Sequence, residues 1–372
     1  MKPRPGRIRP ALLAALALSA AALAQTAGDR RFEEIKAKRD RGGKITAEEQ
    51  EFASRTIERR NQEAAAKRFA EYAKEHPARE SVGLIPLPDL GRDRYKGEQG
   101  GLYPGGANTP PTAHRKAGMK LAREIVPLDE SGASSAAGKI VLLSIGMSNT
   151  TQEFRSFIEL AAKQTDLNPR LALVDGAQGG QAADTTAKPE AKFWGVVDAR
   201  LSEAGATAKQ VQAAWLKQAI IGPKREFPAE ARLLERYLAD TLHNLRDKFP
   251  NLKIVYLSSR TYAGYAGTPL NPEPHSYESA FAVKWIITRQ IEGDPELNYD
   301  PAKGAVRAPW VAWGPYLWAD GLKGRKDGFI WMRQDSGPDG THPSMSGREK
   351  VAKLLLDFLK REPTSRGWFV KQ

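Results

Sequence analysis

The pattern of apolar positions changes character near Lys139. Ile140-Val141-Leu142-Leu143-Ser144-Ile145 is a nearly unbroken apolar run, the signature of a short strand covered on both faces. Phe154, Phe157, Ile158, Ala161 and Ala162 follow at helical spacing. Leu171-Ala172-Leu173-Val174 predicts a second buried strand, residues 196–204 a helix, and residues 211–216 a third strand. A long helix is predicted over 229–248, ended by Pro250, with a fourth strand at Ile254-Val255-Tyr256-Leu257. Val351, Leu354, Leu355, Phe358 and Leu359 make the apolar stripe of a closing amphipathic helix. Strands alternating with helices predict a three-layer α/β/α sandwich around a mainly parallel sheet over residues 139–363, followed by a short tail over 364–372. Sites in such sheets collect at the carboxyl ends of the strands.

The earlier part of the chain reads differently. Residues 25–80 are highly charged and poor in large apolar side chains. Thr46-Ala47-Glu48-Glu49 has the form of a capping box and opens a helix predicted through about Tyr72. Its apolar positions, such as Phe52, Ile57, Phe69 and Tyr72, are too sparse for a core of their own, so a helical extension is expected. Residues 81–138, with Gly97, Gly100, Gly101, Gly105, Gly106, Pro110 and Pro111, read as an irregular connecting segment.

Composition narrows the function classes. Lys2, Arg4, Arg7 and Arg9, the apolar run Ala11 to Leu23, and Ala22-Leu23-Ala24 have the order of a secretory signal peptide over 1–24, with a periplasmic or extracellular destination. The run is shorter than the roughly 20 residues a spanning helix needs, so no stable membrane span is expected after its removal. There is no cysteine, which excludes disulfides, thiolate catalysis and cysteine-ligated zinc. The formal net charge is +13, or +9 without the four basic residues of the leader. Lys and Arg are interspersed with Asp and Glu, so a solvated surface is expected rather than a nucleic-acid partner.

Two turns carry candidate chemistry. The first strand runs into Gly146-Met147-Ser148-Asn149, which places a serine at the carboxyl edge of the sheet beside a helix N-terminus. Thr150 and Glu153 stand at capping-box spacing behind it. A serine hydroxyl is a weak nucleophile until a base takes its proton. Asp339-Gly340-Thr341-His342-Pro343 supplies one, just before the last helix, whose start Ser346 and Glu349 mark at capping-box spacing. A carboxylate three residues before a histidine can accept from Nδ1–H and leave Nε2 to deprotonate the serine. His76, His114, His243 and His275 fall in contexts expected to be structural or solvated. The histidines lack metal-ligand spacing and no phosphate loop is present, so neither a metal nor an organic cofactor is expected.

The Gly-x-Ser-Asn turn and the Asp-x-x-His-Pro turn resemble, in order and separation, the first and last blocks of the SGNH/GDSL hydrolases, across residues 139–360 or so. The resemblance implies a flavodoxin-like sandwich and ester hydrolysis by Ser148, His342 and Asp339. Between the two blocks, Val174-Asp175-Gly176-Ala177-Gln178-Gly179-Gly180-Gln181 resembles the second block, whose glycine N–H joins that of the nucleophile in an oxyanion hole. Counted from the strand end, Gly180 is the better match and Gly179 the reserve. The chain departs from the pattern in having Met147 where the family has Asp, and Trp215-Leu216-Lys217-Gln218-Ala219 where it has a Gly-x-Asn-Asp turn. The third oxyanion donor is therefore left open among Asn149, Gln218 and Lys217.

Trp310, Trp313, Tyr316, Trp318 and Trp331 crowd the segment before His342. They read either as a sugar-stacking pocket wall, which makes a carbohydrate ester a substrate candidate, or as core and lid packing. Arg260, beyond the fourth strand, is placed either to meet an anionic substrate group or to form a structural salt bridge. Two further expectations accompany the esterase reading: a carbohydrate-binding protein that keeps the fold without turnover, and an acyltransferase using the same triad.

Overall fold

The structure, a computed structural model, describes residues 28–371. The expected signal peptide lies outside the described residues. The chain divides into two compact units at Glu71/Tyr72. In the first, a helix over 28–40 (α1) and most of helix Ala47–Glu75 (α2) are joined by ion pairs such as Arg31–Glu48 and Lys38–Glu49. The capping box at the start of α2 is formed: Thr46 N–H donates to Glu49 Oε2 at 2.8 Å, and Glu49 N–H to Thr46 Oγ1 at 3.1 Å.

The second unit is an α/β domain. After helix Thr112–Arg123 (α3) come strand Ile140–Gly146 (β1), helix Ser148–Ala161 (α4), strand Leu171–Asp175 (β2) and helix Lys192–Glu203 (α5). Strand Val211–Lys217 (β3), helix Ala229–Lys248 (α6), strand Ile254–Leu257 (β4) and helix His275–Glu292 (α7) continue the alternation. Strand Trp310–Trp313 (β5) and helices Met345–Arg361 (α8) and Pro363–Phe369 (α9) complete it. The strands form one sheet in the order β2-β1-β3-β4-β5, every pair parallel. Such a sheet needs cover on both faces. On one face Trp215 stacks with Phe154 of α4, and its register partner Tyr256 meets Phe358 of α8 edge-on. Helices α6 and α7 pack on each other, and α7 also packs on β5. The result is the three-layer fold expected from the sequence.

Three expectations differ from what is seen. Residues 81–138 do more than connect: Leu87, Leu90, Tyr103, Ile125 and Leu128 are buried, and α3 packs against α9. The last residues are not a free tail either, because Trp368 and Phe369 of α9 are in the core. The capping boxes expected at Thr150/Glu153 and Ser346/Glu349 are not the caps used. Met147 is the N-cap of α4, and Ser344 caps α8 by accepting from Gly347 N–H at 3.4 Å.

Candidate active site

All five strands run the same way, so their carboxyl ends share one edge. At the end of β1 the chain turns at once into α4, with Ser148 as its first residue. Gly146 makes this possible. A Cβ there would lie 2.3 Å from Thr150 Oγ1 and 2.4 Å from the Lys217 carbonyl oxygen, so only glycine lets the helix start so close to β3.

The Asp339–His342 turn is held from several sides. Asp339 Oδ1 accepts from the N–H groups of Thr341 and His342, each at 3.0 Å, which fixes the turn internally. Gly340 adopts φ of 66° against the Tyr265 carbonyl, where a Cβ would be 1.8 Å away. Gly267 N–H donates to the Asp339 carbonyl at 2.8 Å, and the Thr268 and Thr341 hydroxyls are 2.6 Å apart. Asn149 Nδ2 donates to the Thr341 carbonyl at 3.0 Å, tying the turn to the first helical turn beyond β1.

These anchors bring three side chains together from positions nearly two hundred residues apart. Ser148 Oγ is 2.9 Å from His342 Nε2, and His342 Nδ1 is 2.6 Å from Asp339 Oδ2. Both distances are hydrogen bonds. Burial alone would raise the Asp339 pKa, but the bonds from the His342 ring and from the His342 and Thr341 N–H groups outweigh it and hold the carboxyl down at about 2. The anion directs the imidazole proton to Nδ1, so Nε2 presents its lone pair to the serine hydroxyl. This arrangement can deprotonate an alcohol oxygen at the end of a helix N-terminus.

The glycine turn after β2 is stapled to β1, with Gly176 N–H donating to Ser144 O at 3.1 Å and Gln178 N–H to Gly146 O at 3.0 Å. A side chain at Gly179 would come within 3.9 Å of Ser148 Cβ, whereas one at Gly180, with φ of 72°, would meet nothing within 4 Å. The glycine packed beside the serine is thus Gly179, the reserve, rather than Gly180.

The three candidates for a third side-chain donor are all engaged elsewhere. Gln218 Nε2 donates to Gln181 O at 3.1 Å and Thr186 Oγ1 at 3.3 Å, and Lys217 Nζ is buried against Glu153. Asn149 serves Thr341, as described. The next position along, Ala219, is buried with Met147 and Ala182 and carries no polar side chain.

The aromatic cluster is core, not pocket wall. Trp310, Trp313, Tyr316, Trp318 and Trp331 are all buried. Trp313 Nε1 donates to Leu102 O at 2.6 Å and Trp318 Nε1 to Glu273 Oε1 at 2.8 Å, while the Tyr316 hydroxyl accepts from Leu87 N–H at 3.0 Å. Segment 81–138 covers three of these rings, through Leu102 on Trp313, Leu87 on Tyr316 and His114 stacked on Trp310, and that segment carries no periodic signal that would have revealed it. Arg260 is also buried, makes no ion pair among the described residues, and has no acceptor for its Nε; burial pulls its pKa down. The other histidines serve locally: His114 Nε2 bonds Val311 O, His243 Nε2 bonds Glu296 O, and His76 stacks on Tyr72. His275 opens α7, with Nδ1 3.6 Å from Glu278 Oε2.

Sequence reasoning missed one feature of the site. Glu153, read as a helix cap, forms a fully buried ion pair with Lys217. A lysine ending an otherwise apolar strand was the available signal.

Among the described residues, no three His, Asp or Glu side chains gather as metal ligands, and no helix is long and apolar enough to cross a membrane. No family model matches the chain, and no curated protein matches it. Among solved structures, the YxiM protein of Bacillus subtilis aligns at 12% identity and a TM-score of 0.35, over 62% of this chain and 58% of its own. A protein of Streptococcus pneumoniae, described provisionally as a platelet activating factor, aligns at 15% identity and a TM-score of 0.31, over 66% of this chain and 92% of its own. This chain therefore spans little more than half the length of the Bacillus protein. Likenesses this distant carry no argument about activity.

Proposed function

We propose that this chain is an exported serine hydrolase that cleaves carboxylic esters through an acyl-enzyme. The observation behind the reading is the relay of Ser148, His342 and Asp339, with its two short hydrogen bonds at the carboxyl edge of the sheet. Ser148 Oγ attacks the acyl carbon while His342 Nε2 takes the hydroxyl proton, and Asp339 stabilises the resulting imidazolium. The carbonyl oxygen becomes an oxyanion, received by the Ser148 N–H and by the N–H of Gly179, the glycine packed beside it. Collapse of the tetrahedral intermediate expels the alcohol, which leaves with the proton from Nε2. Water then attacks the acyl-enzyme, giving its proton to His342; on collapse that proton returns to Ser148 Oγ and the acid departs.

Export rests on the charge and apolar pattern of residues 1–24. A sugar as the alcohol has lost its main support, because the aromatic rings that suggested it are enclosed. The same loss removes one of the two grounds for a non-catalytic sugar binder; the other, a third oxyanion donor with no side chain assigned to it, stands against the intact relay. The test is turnover of p-nitrophenyl acetate by the mature protein and by Ser148→Ala. Activity in the parent that disappears in a folded Ser148→Ala protein is expected. Equal rates in the two proteins would overturn the assignment.

A further inference from the structure

The nucleophile turn is attached to β3 at three points, and all three converge on Lys217. Its ammonium Nζ lies 2.6 and 2.5 Å from the two carboxylate oxygens of Glu153, with both side chains 0% exposed. Its carbonyl oxygen accepts from Thr150 Oγ1 at 2.9 Å, and Thr150 is itself fully buried. Its backbone is the register partner of Gly146, where a Cβ would strike that same carbonyl oxygen. Thr150 and Glu153 lie two and five residues beyond Ser148, on the first turn and a half of α4.

An ion pair in such a place needs a reason other than stability. Removing two charges from water is costly, and apolar replacements of similar volume are often as stable or more so. Burial pulls the Lys217 ammonium down, to about 8, with Arg260 adding to the fall and Glu153 opposing it. Glu153 is thus the counter-charge for Lys217 and, at longer range, for Arg260. What the pair provides is an anchor: each charge, once out of water, is held to the partner beside it, which ties α4 at Glu153 to the end of β3. The hydroxyl that this helix carries has to stay within hydrogen-bond reach of a ring supported by a separate loop.

We propose that Glu153 and Lys217 are positioning residues, which with Thr150 lock the first turns of α4 onto the end of β3 and so hold Ser148 Oγ in line with His342 Nε2. The proposal rests on the serine-hydrolase reading. It assigns no contact with substrate to either residue.

The experiment compares the parent, the double variant Glu153→Leu/Lys217→Met, and Thr150→Val, all well below their melting temperatures. The double variant removes Lys217 together with its direct partner Glu153; Arg260 then loses the longer-range charge of Glu153, is relieved of the repulsion from Lys217, and keeps the charge of Glu273. The double variant is expected to lose about tenfold to a hundredfold in kcat and in the rate of fluorophosphonate labelling, with KM within about threefold, as displacement of a reacting group predicts. Its low-field proton resonance from His342 Nδ1–H should stay in place, because Asp339 keeps its bonds to Thr341 N–H, His342 N–H and His342 Nδ1 within the turn; a general loosening of the fold would shift or broaden it. Thr150→Val cuts one anchor and is expected to lose roughly threefold to tenfold in kcat with the same KM. Parent-like labelling and kcat in the folded double variant would overturn the proposal. Should that variant not fold, parent-like kcat in Thr150→Val would overturn it equally. A parent that is never labelled refutes the hydrolase reading instead, so the two failures are distinct.

Discussion

Replacing Asp339 by Asn probes the relay at its least exposed assumption, the tautomer of His342. In the parent, Oδ1 accepts from two backbone N–H groups at 3.0 Å each, and Oδ2 accepts from His342 Nδ1 at 2.6 Å. An asparagine keeps the first two bonds if its oxygen takes the Oδ1 position. Its NH2 group then faces Nδ1 and donates, so the ring proton must move to Nε2. Nε2–H now points at Ser148 Oγ, 2.9 Å away, and the hydroxyl has no base. Loss of the correct tautomer in an intact triad costs about 10⁴ in kcat, or roughly 5 kcal/mol of transition-state stabilisation. The backbone turn is retained, so the folding cost should be limited to one charge-assisted bond, on the order of 1–2 kcal/mol. Steady-state hydrolysis of p-nitrophenyl acetate, with urea unfolding of the same samples, measures both quantities. A folded Asp339→Asn protein that turns over within tenfold of the parent would refute the tautomer assignment.

Three further outcomes follow from the same geometry. Because the Asp339 carboxyl is held at about 2 against 3.8 for the free group, its contribution to stability is present above about pH 4 and is lost as pH falls from there through 2. Allowing for its partial exposure, that contribution is on the order of 1 kcal/mol, and acid unfolding of Asp339→Asn should lack it; superimposable acid limbs would contradict the assignment. Asn149→Ala frees the Thr341 carbonyl, and about a tenfold fall in kcat at constant KM is expected in kinetic assays; an unchanged kcat would show that the tether is idle. Trp313→Ala should cost about 3–5 kcal/mol in urea unfolding, as deletion of a core ring does, whereas a pocket-wall role would raise KM and leave stability nearly intact.

The sheet was legible where burial wrote unbroken runs of mainly aliphatic residues. β1 to β4 are such runs, and their alternation with amphipathic helices fixed the architecture. β5 was not, because two of the four residues of Trp310-Val311-Ala312-Trp313 are tryptophans, which read equally well as a binding surface. Helix α7 escaped because residues all around it, from Tyr277 and Phe281 to Lys284 and Ile287, are buried, which erases the one-sided stripe that marks a surface helix. The proposed relay was visible because each half sits in a short turn whose chemistry is local: glycine, serine and helix start in one, aspartate and histidine in the other. The destination of Gln218, Lys217 and the tryptophan rings depends on distant partners, Thr186, Glu153 and Leu102 among them, and no local pattern announces those.

The central claim is that the Ser148 hydroxyl is activated by His342, and one mass-spectrometric measurement addresses it most directly. The protein is treated with a fluorophosphonate, digested and sequenced, beside His342→Ala. A single phosphonyl adduct is expected, on the peptide containing Ser148, formed in the parent and slowed by about a thousandfold or more in the variant. An unlabelled parent, an adduct on another residue, or equal labelling with and without the imidazole would contradict it.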